Sequence, residues 1–247
     1  VNAIAGDIFN NVTNTSYDVV YTIVPYSGTC EGIDFTITVT IDPEPVYTGN
    51  LDATVCSDEI IAVTLPALDD DNGDITKYDI SAVVAPGLTG TATTGTDITD
   101  VNAIYNDEFN NVTNGPLTVV YSITPYNGDC AGTDFDITVT INPEPVYNGN
   151  LDDDVCSDES IGVVLPTVDE VGGLPIDSYD ISAVVDGDLT GTATTGNGIV
   201  DENAIAGDSF ENITNEPHTV VYTITPYSDN ACVGDAFNIT ITVHPYP

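Results

Sequence analysis

Two residue types in this chain have the numbers and the spacing to do chemistry: cysteine and aspartate. Cysteines stand at 30, 56, 130, 156 and 232, in two recurring settings. Cys56 and Cys156 lie in "VCSDE", whereas Cys30, Cys130 and Cys232 each follow a Pro-Tyr pair by a few residues. No CxxC pair or companion histidine supplies a zinc ligand set, so the pattern is one of disulfides. The aspartates cluster on turns. "LDDDNGDITKYD" (68–79) gathers Asp69, Asp70, Asp71 and Asp74 around Asn72 and Gly73, and "LDDDVCSDE" (151–159) holds Asp152, Asp153 and Asp154. Six to eight hard oxygen ligands are what calcium takes, which makes these seven the candidate calcium ligands. Their spacing departs from an EF-hand loop. The matching stretches "TVDEVGGLPIDSYD" (167–180) and "LDATVCSDE" (51–59) are poorer in acids, so a solvated turn is the competing reading.

Catalysis finds no cast of residues. The histidines, His218 and His244, fall before a strand and in a linker. No Ser, His and carboxylate arrangement recurs, and no glycine-rich phosphate loop is present. Carboxylate pairs signal little in a chain with 40 Asp and Glu. The expectation is a protein that is not an enzyme. Against those 40 acids stands one basic residue, Lys77, for a formal charge of −39. Nucleic acid binding needs a basic footprint, and an anionic membrane surface repels this chain. No apolar run approaches the roughly 18 residues of a membrane helix, so direct membrane insertion is not expected.

The elements that must position these residues are strands. Hydrophobic residues make up 41% of the chain, rich in Val, Ile and Tyr, which argues for a folded all-β protein with an acidic surface. "IIAVTLP", "KYDISAVV", "LTVVYSITPY" and "FDITVTI" are short β-rich runs separated by Gly, Pro, Asn and Asp. They also recur. "AIAGDIFNNVTN" (3–14) returns at 103–114 and 204–215, and "FTITVTI" (35–41) at 135–141 and 237–243. A period of about 100 residues is a domain rather than a solenoid unit. About seven strands per period predicts tandem immunoglobulin-like β-sandwich domains. Tyr21, Tyr121 and Tyr222 fall on the penultimate strand, where a core tyrosine anchors such folds. "PEP" (43–45 and 143–145) ends each final strand, giving residues 1–45 as the C-terminal part of one repeat, 46–145 as a complete repeat and 146–247 as another. Both ends read as cuts in a longer array.

Cysteine pairing follows from this arrangement. The hairpin loop before the last strand is expected at the same end of a sandwich as the start of its first strand. The last strand then carries the chain on the order of 20 Å away, which excludes Cys30 with Cys56. The expected bonds are Cys56–Cys130 and Cys156–Cys232, each within one repeat, with the partner of Cys30 outside the chain. "NNVT" and "NIT" match a glycan acceptor pattern at Asn111 and Asn212, but an Asn-rich turn accounts for them.

"VCSDE", "YDIS", "NNVTN", "VVYSITPYNGDCAG" and "FDITVTINPEP" together resemble the PKD-like repeats of giant Bacteroidota surface proteins. The resemblance spans every period. It implies an Ig-like fold, export through the outer membrane by type IX secretion, and an extracellular filament at the cell surface. Gliding motility or surface attachment would be its work, with an extracellular substratum or surface polysaccharide and the cell's motility or anchoring machinery as partners. Calcium-binding or carbohydrate-binding repeats, and spacer domains of a secreted enzyme, are the alternative readings.

Overall fold

A computed structural model describes residues 3–71, 73–170 and 172–246. All regular elements of the described residues are β-strands, as the alternating Val, Ile, Thr and Tyr runs predict. In the second repeat the main sheet has the order Ala53–Cys56, Phe135–Asn142, Leu117–Asn127, Lys77–Val84, Gly95–Ile98. The third repeat repeats that order with Asp153–Cys156, Phe237–His244, His218–Tyr227, Ser178–Val185 and Gly196–Ile199. Neighbours pair antiparallel except the first strand, which runs parallel to the last, placing Cys56 opposite Asn142 and Cys156 opposite His244.

The facing layer is less regular. Leu88–Gly90 pairs with Phe109–Asn111, and residues 58–65 hydrogen-bond to 101–109, for example Ile61 N to the Asp107 carbonyl at 2.9 Å. Between the layers lies one apolar core per repeat. Period-two alternation turns Val119, Tyr121, Ile123, Ile137, Val139 and Ile141 inward against Ile61, Leu65, Ile104 and Phe109. The third repeat builds the same core around Val220, Tyr222, Ile224, Ile239 and Ile241. Residues 3–45 supply only the last hairpin, Tyr17–Ile23 with Phe35–Ile41. Ile37 and Val39 are 37% and 38% exposed there, whereas Ile137 and Val139 are fully buried in a core that residues 53–65 and 75–98 help to build.

Each core has a polar pin. The Tyr121 hydroxyl donates to Asp107 Oδ2 at 2.5 Å, and Asp107 also accepts from Thr93 N and Thr93 Oγ1. Tyr222, Asp208 and Thr194 make the same set. Burial, with the Asp107 carboxylate beside it, pushes the Tyr121 phenol far above its ordinary value. Asn111 is buried as well. Its amide donates to the carbonyls of Ile141 and Gly115, and its oxygen accepts from Thr113. Asn212 does the same with Val243, Glu216 and Thr214. Both asparagines are internal turn-formers, which leaves neither side chain open to a glycan.

Candidate functional site at the junction between repeats

The chemistry of this protein concentrates where one repeat meets the next. "PEP" delivers the chain into a seat made by the following repeat's last hairpin. Thr133 N donates to the Pro45 carbonyl at 3.1 Å. Gly132 approaches that carbonyl so closely that a Cβ would lie 1.9 Å from its oxygen, so only glycine fits. Gly234 stands in the same relation to Pro145, at 2.0 Å. Just beyond, Tyr47 packs its ring on Phe135 and Tyr147 on Phe237, with centroids 5.0 and 4.6 Å apart.

The acidic turn closes the other side of the seat. Asp70 accepts from Thr48 N and Thr48 Oγ1, and its own N–H donates to the Val46 carbonyl. Glu170 serves Asn148 and Val146 in the same way. Asp69 folds its own loop by accepting from Asp71 N and Gly73 N. Loops of adjacent repeats touch here too, since Asn14 donates to the Asp71 carbonyl.

The candidate calcium ligands make other contacts in this structure. Asp69 and Asp70 accept from backbone donors, Asp152 accepts from Thr240 N, Asp153 from Asp154 N, and Asp154 faces His244. Among the described residues neither Asp69, Asp70, Asp71 and Asp74 nor Asp152, Asp153 and Asp154 converge into a ligand shell; Asn72 lies outside those residues. Asp70 clamps the linker, and the clamp needs a hydrogen-bond acceptor, which is why Glu170 can replace Asp70.

The disulfide expectation is corrected. Cys56 bonds to Cys232, with a Cα separation of 5.5 Å, inside the usual 4.4–6.8 Å range. The bond joins the second repeat to the third. Cys130 and Cys156 are free thiols, so neither Cys56–Cys130 nor Cys156–Cys232 forms. The reason is the parallel first strand. Cys56 closes that strand rather than opening it, so it sits beside Asn142 at the carboxyl end of its repeat. Cys130, paired with Asn127, lies at the other end, a strand length of about 20 Å away. The third repeat's hairpin, seated on Pro145, brings Cys232 to Cys56 instead.

Acids surround the bond. Burial pushes the Glu144 carboxyl up to about 7, helped by Asp58 and by the charges of Asp235 and Glu59.

A family model for the PKD-like domain matches residues 2–45, 53–145 and 153–247. The chain belongs to the PKD-like domain family. No curated protein matches its sequence. Solved structures of similar fold include chicken CNTN1 FN1–FN3 domains, at 10% identity over 94% of this chain and 77% of that one, with a TM-score of 0.38. Drosophila N-cadherin EC1–4 follows at 10% identity over 96% and 59%, with a TM-score of 0.33. Mouse clustered PcdhgC3 EC1–3 is similar at 13% identity over 95% and 78%, with a TM-score of 0.31.

Outside the junction these PKD-like repeats hold one further group of potential metal ligands among the described residues. Asp186, Asp188 and His218 bring ligand atoms within 4.8 Å of one another, with His218 Nδ1 3.0 Å from Asp186. The second repeat has Ala85, Gly87 and Leu117 at those positions, so the group is not a property of the repeat. Two hollows, lined by residues such as Phe9, Tyr17, Val19, Tyr21 and Ile41, lie on the open core face of residues 3–45. No helix of the described residues is long and apolar enough to cross a membrane.

Proposed function

We propose that these PKD-like repeats form a load-bearing, adhesive stalk of an exported cell-surface protein. The stalk holds an extracellular substratum or surface polysaccharide away from the cell, and anchoring or motility machinery takes up the load. No catalytic role is assigned to it. One observation carries this reading: a disulfide crosses from one repeat to the next, so the array is joined by two covalent routes rather than one. A protein selected to bind or react within single domains has no need of that. Disulfides persist in oxidising, extracellular settings, which favours the cell surface. A charge of −39 keeps neighbouring stalks apart over the ~8 Å Debye length of physiological salt. Resemblance to repeats of gliding-motility adhesins such as SprB favours attachment during surface movement.

Beads carrying the full chain, flowed over glass and over polysaccharide-coated surfaces, test the adhesive part. Retention above that of uncoated beads on either surface supports it. Release from every surface makes the chain a spacer whose adhesion lies elsewhere.

A further inference from the structure

The bond between Cys56 and Cys232 leaves three thiols, at Cys30, Cys130 and Cys156. Two of them are presented as the bonded pair is. Cys156 ends a strand parallel to Phe237–His244 as Cys56 ends one parallel to Phe135–Asn142. Both amides are held by the glutamate three residues on, Cys56 N by Glu59 at 3.2 Å and Cys156 N by Glu159 at 3.3 Å. Asp58 and Asp158 take the same left-handed turn beside them, at φ 60° and 62°.

Cys130 matches Cys232. Each sits two residues before a glycine that donates to a hairpin proline, Gly132 to Pro125 and Gly234 to Pro226, both at 2.8 Å. Each glycine is also pressed onto the preceding linker, Gly132 on Pro45 and Gly234 on Pro145. The hairpin of the second repeat is therefore already seated on residues 3–45, with its cysteine in the place that Cys232 occupies when bonded.

The far end of the third repeat leaves an apolar side chain more open than its counterparts. Ile213 there is 78% exposed, whereas its counterparts Val12 and Val112, at the two occupied junctions, are 54% and 48% exposed.

We propose that Cys130 and Cys156 are half-sites for the same staggered disulfide. Cys130 takes the strand-end cysteine of a PKD-like repeat completed on residues 3–45. Cys156 takes the hairpin cysteine of a PKD-like repeat seated on the far end of residues 146–247. Each bond forms by thiol–disulfide exchange with a small disulfide such as oxidised glutathione. One cysteine thiolate displaces a thiol from the reagent, and the second cysteine thiolate attacks that mixed disulfide and displaces the other. Two cysteine thiols lose two electrons and two protons, and one reagent disulfide becomes two thiols.

The consequence is mechanical. Within one staggered bond, the 176 residues between Cys56 and Cys232 are bypassed by the sulfur bridge. In a continuous ladder the unbridged runs shrink to the stretch from a hairpin cysteine to the next strand-end cysteine, as from Cys130 to Cys156. Such a run has 26 residues and extends to only about 90 Å. Pulling then opens neither sandwich fully.

The test is the full chain extended before Val1 by a second copy of its own residues 46–100, with Thr54→Ser in that copy alone to give its cysteine peptide a distinct mass, oxidised in a glutathione buffer and digested with pepsin at low pH. The expected digest joins the added cysteine to Cys130 and Cys56 to Cys232, leaving Cys30 and Cys156 free. With Cys130→Ser, the added cysteine stays free while Cys56–Cys232 persists. An added cysteine bonded to Cys30, or left free beside a free Cys130 while Cys56–Cys232 forms, overturns the proposal. Should the extension spoil folding, a copy of residues 146–247 placed after Pro247, with Val233→Ile in that copy alone as a mass tag, asks the same question of Cys156. Its expected product is Cys156 bonded to the added hairpin cysteine, and a free Cys156 overturns the proposal there.

Discussion

Gly132 and Pro45 meet without room for a methyl group: a Cβ on Gly132 would lie 1.9 Å from the Pro45 carbonyl oxygen. This contact fixes where each hairpin lands on the linker before it, and hence which cysteines meet. Gly234→Ala pushes the third repeat off Pro145, and we expect Cys56–Cys232 to form more slowly in a glutathione buffer. Overpacking of this kind costs about 1–3 kcal/mol. Gly115→Ala, with nothing within 4 Å of its Cβ, is the control and should leave the rate unchanged.

The disulfide spans two cores, so its loss should change the number of transitions as well as their position. Linking residues 176 apart removes unfolded-chain entropy worth about 5 kcal/mol on the loop-closure model. Cys232→Ser should lower the denaturant midpoint without reductant and separate the second and third repeats into distinct steps. A single unchanged transition would mean that the bond carries no load between them.

Tyr121→Phe removes a donor from a buried aspartate that keeps only its two Thr93 bonds. A destabilisation of about 1–3 kcal/mol follows, read as a fall in Tm. Tyr21→Phe should cost much less, because Tyr21 and Asp7 meet at the surface. Tyr78 supplies a pH signature: burial pushes its phenol from 10.0 up to about 12. The unfolded chain loses that proton first, so this contribution is complete below pH 10 and drains away as pH rises toward 12.

Glu144 gives the junction a second pH dependence, nearer neutrality. Its carboxyl titrates near 7 in the folded protein against an ordinary value of 4.5. The folded state therefore holds the proton more tightly, and the stabilisation present at pH 4.5 fades as pH rises through 7. The Tm of the native chain should fall between pH 5 and pH 8 more steeply than that of Glu144→Gln. Equal slopes would remove Glu144 from the junction's electrostatics.

Much of this was legible in one dimension. The 100-residue period, the strands ending in "TVTINPEP" and the paired cysteine slots mark a tandem β-sandwich without any coordinates. What could not be read was direction. "ATVC" and "DDVC" look like opening strands, and only their parallel pairing with the last strand shows that Cys56 and Cys156 sit at the carboxyl end of each repeat. The role of the aspartate run was illegible for a different reason. Asp69 and Asp70 are acids on a turn whether they bind calcium or accept from Thr48 and Gly73, and a sequence does not show where backbone donors point. The one signal available was Glu170 at the position of Asp70, a swap a linker clamp tolerates.

The central claim is that adjacent repeats are stapled to each other, and the most direct measurement is the disulfide map of the native chain. Thiols would be blocked without reduction, the chain digested with pepsin at low pH, and linked peptides identified by mass. The account predicts one cross-link, Cys56 to Cys232, with blocked Cys30, Cys130 and Cys156. Recovery of Cys56 with Cys130 and Cys156 with Cys232 would contradict it, leaving separate repeats joined only by their proline linkers.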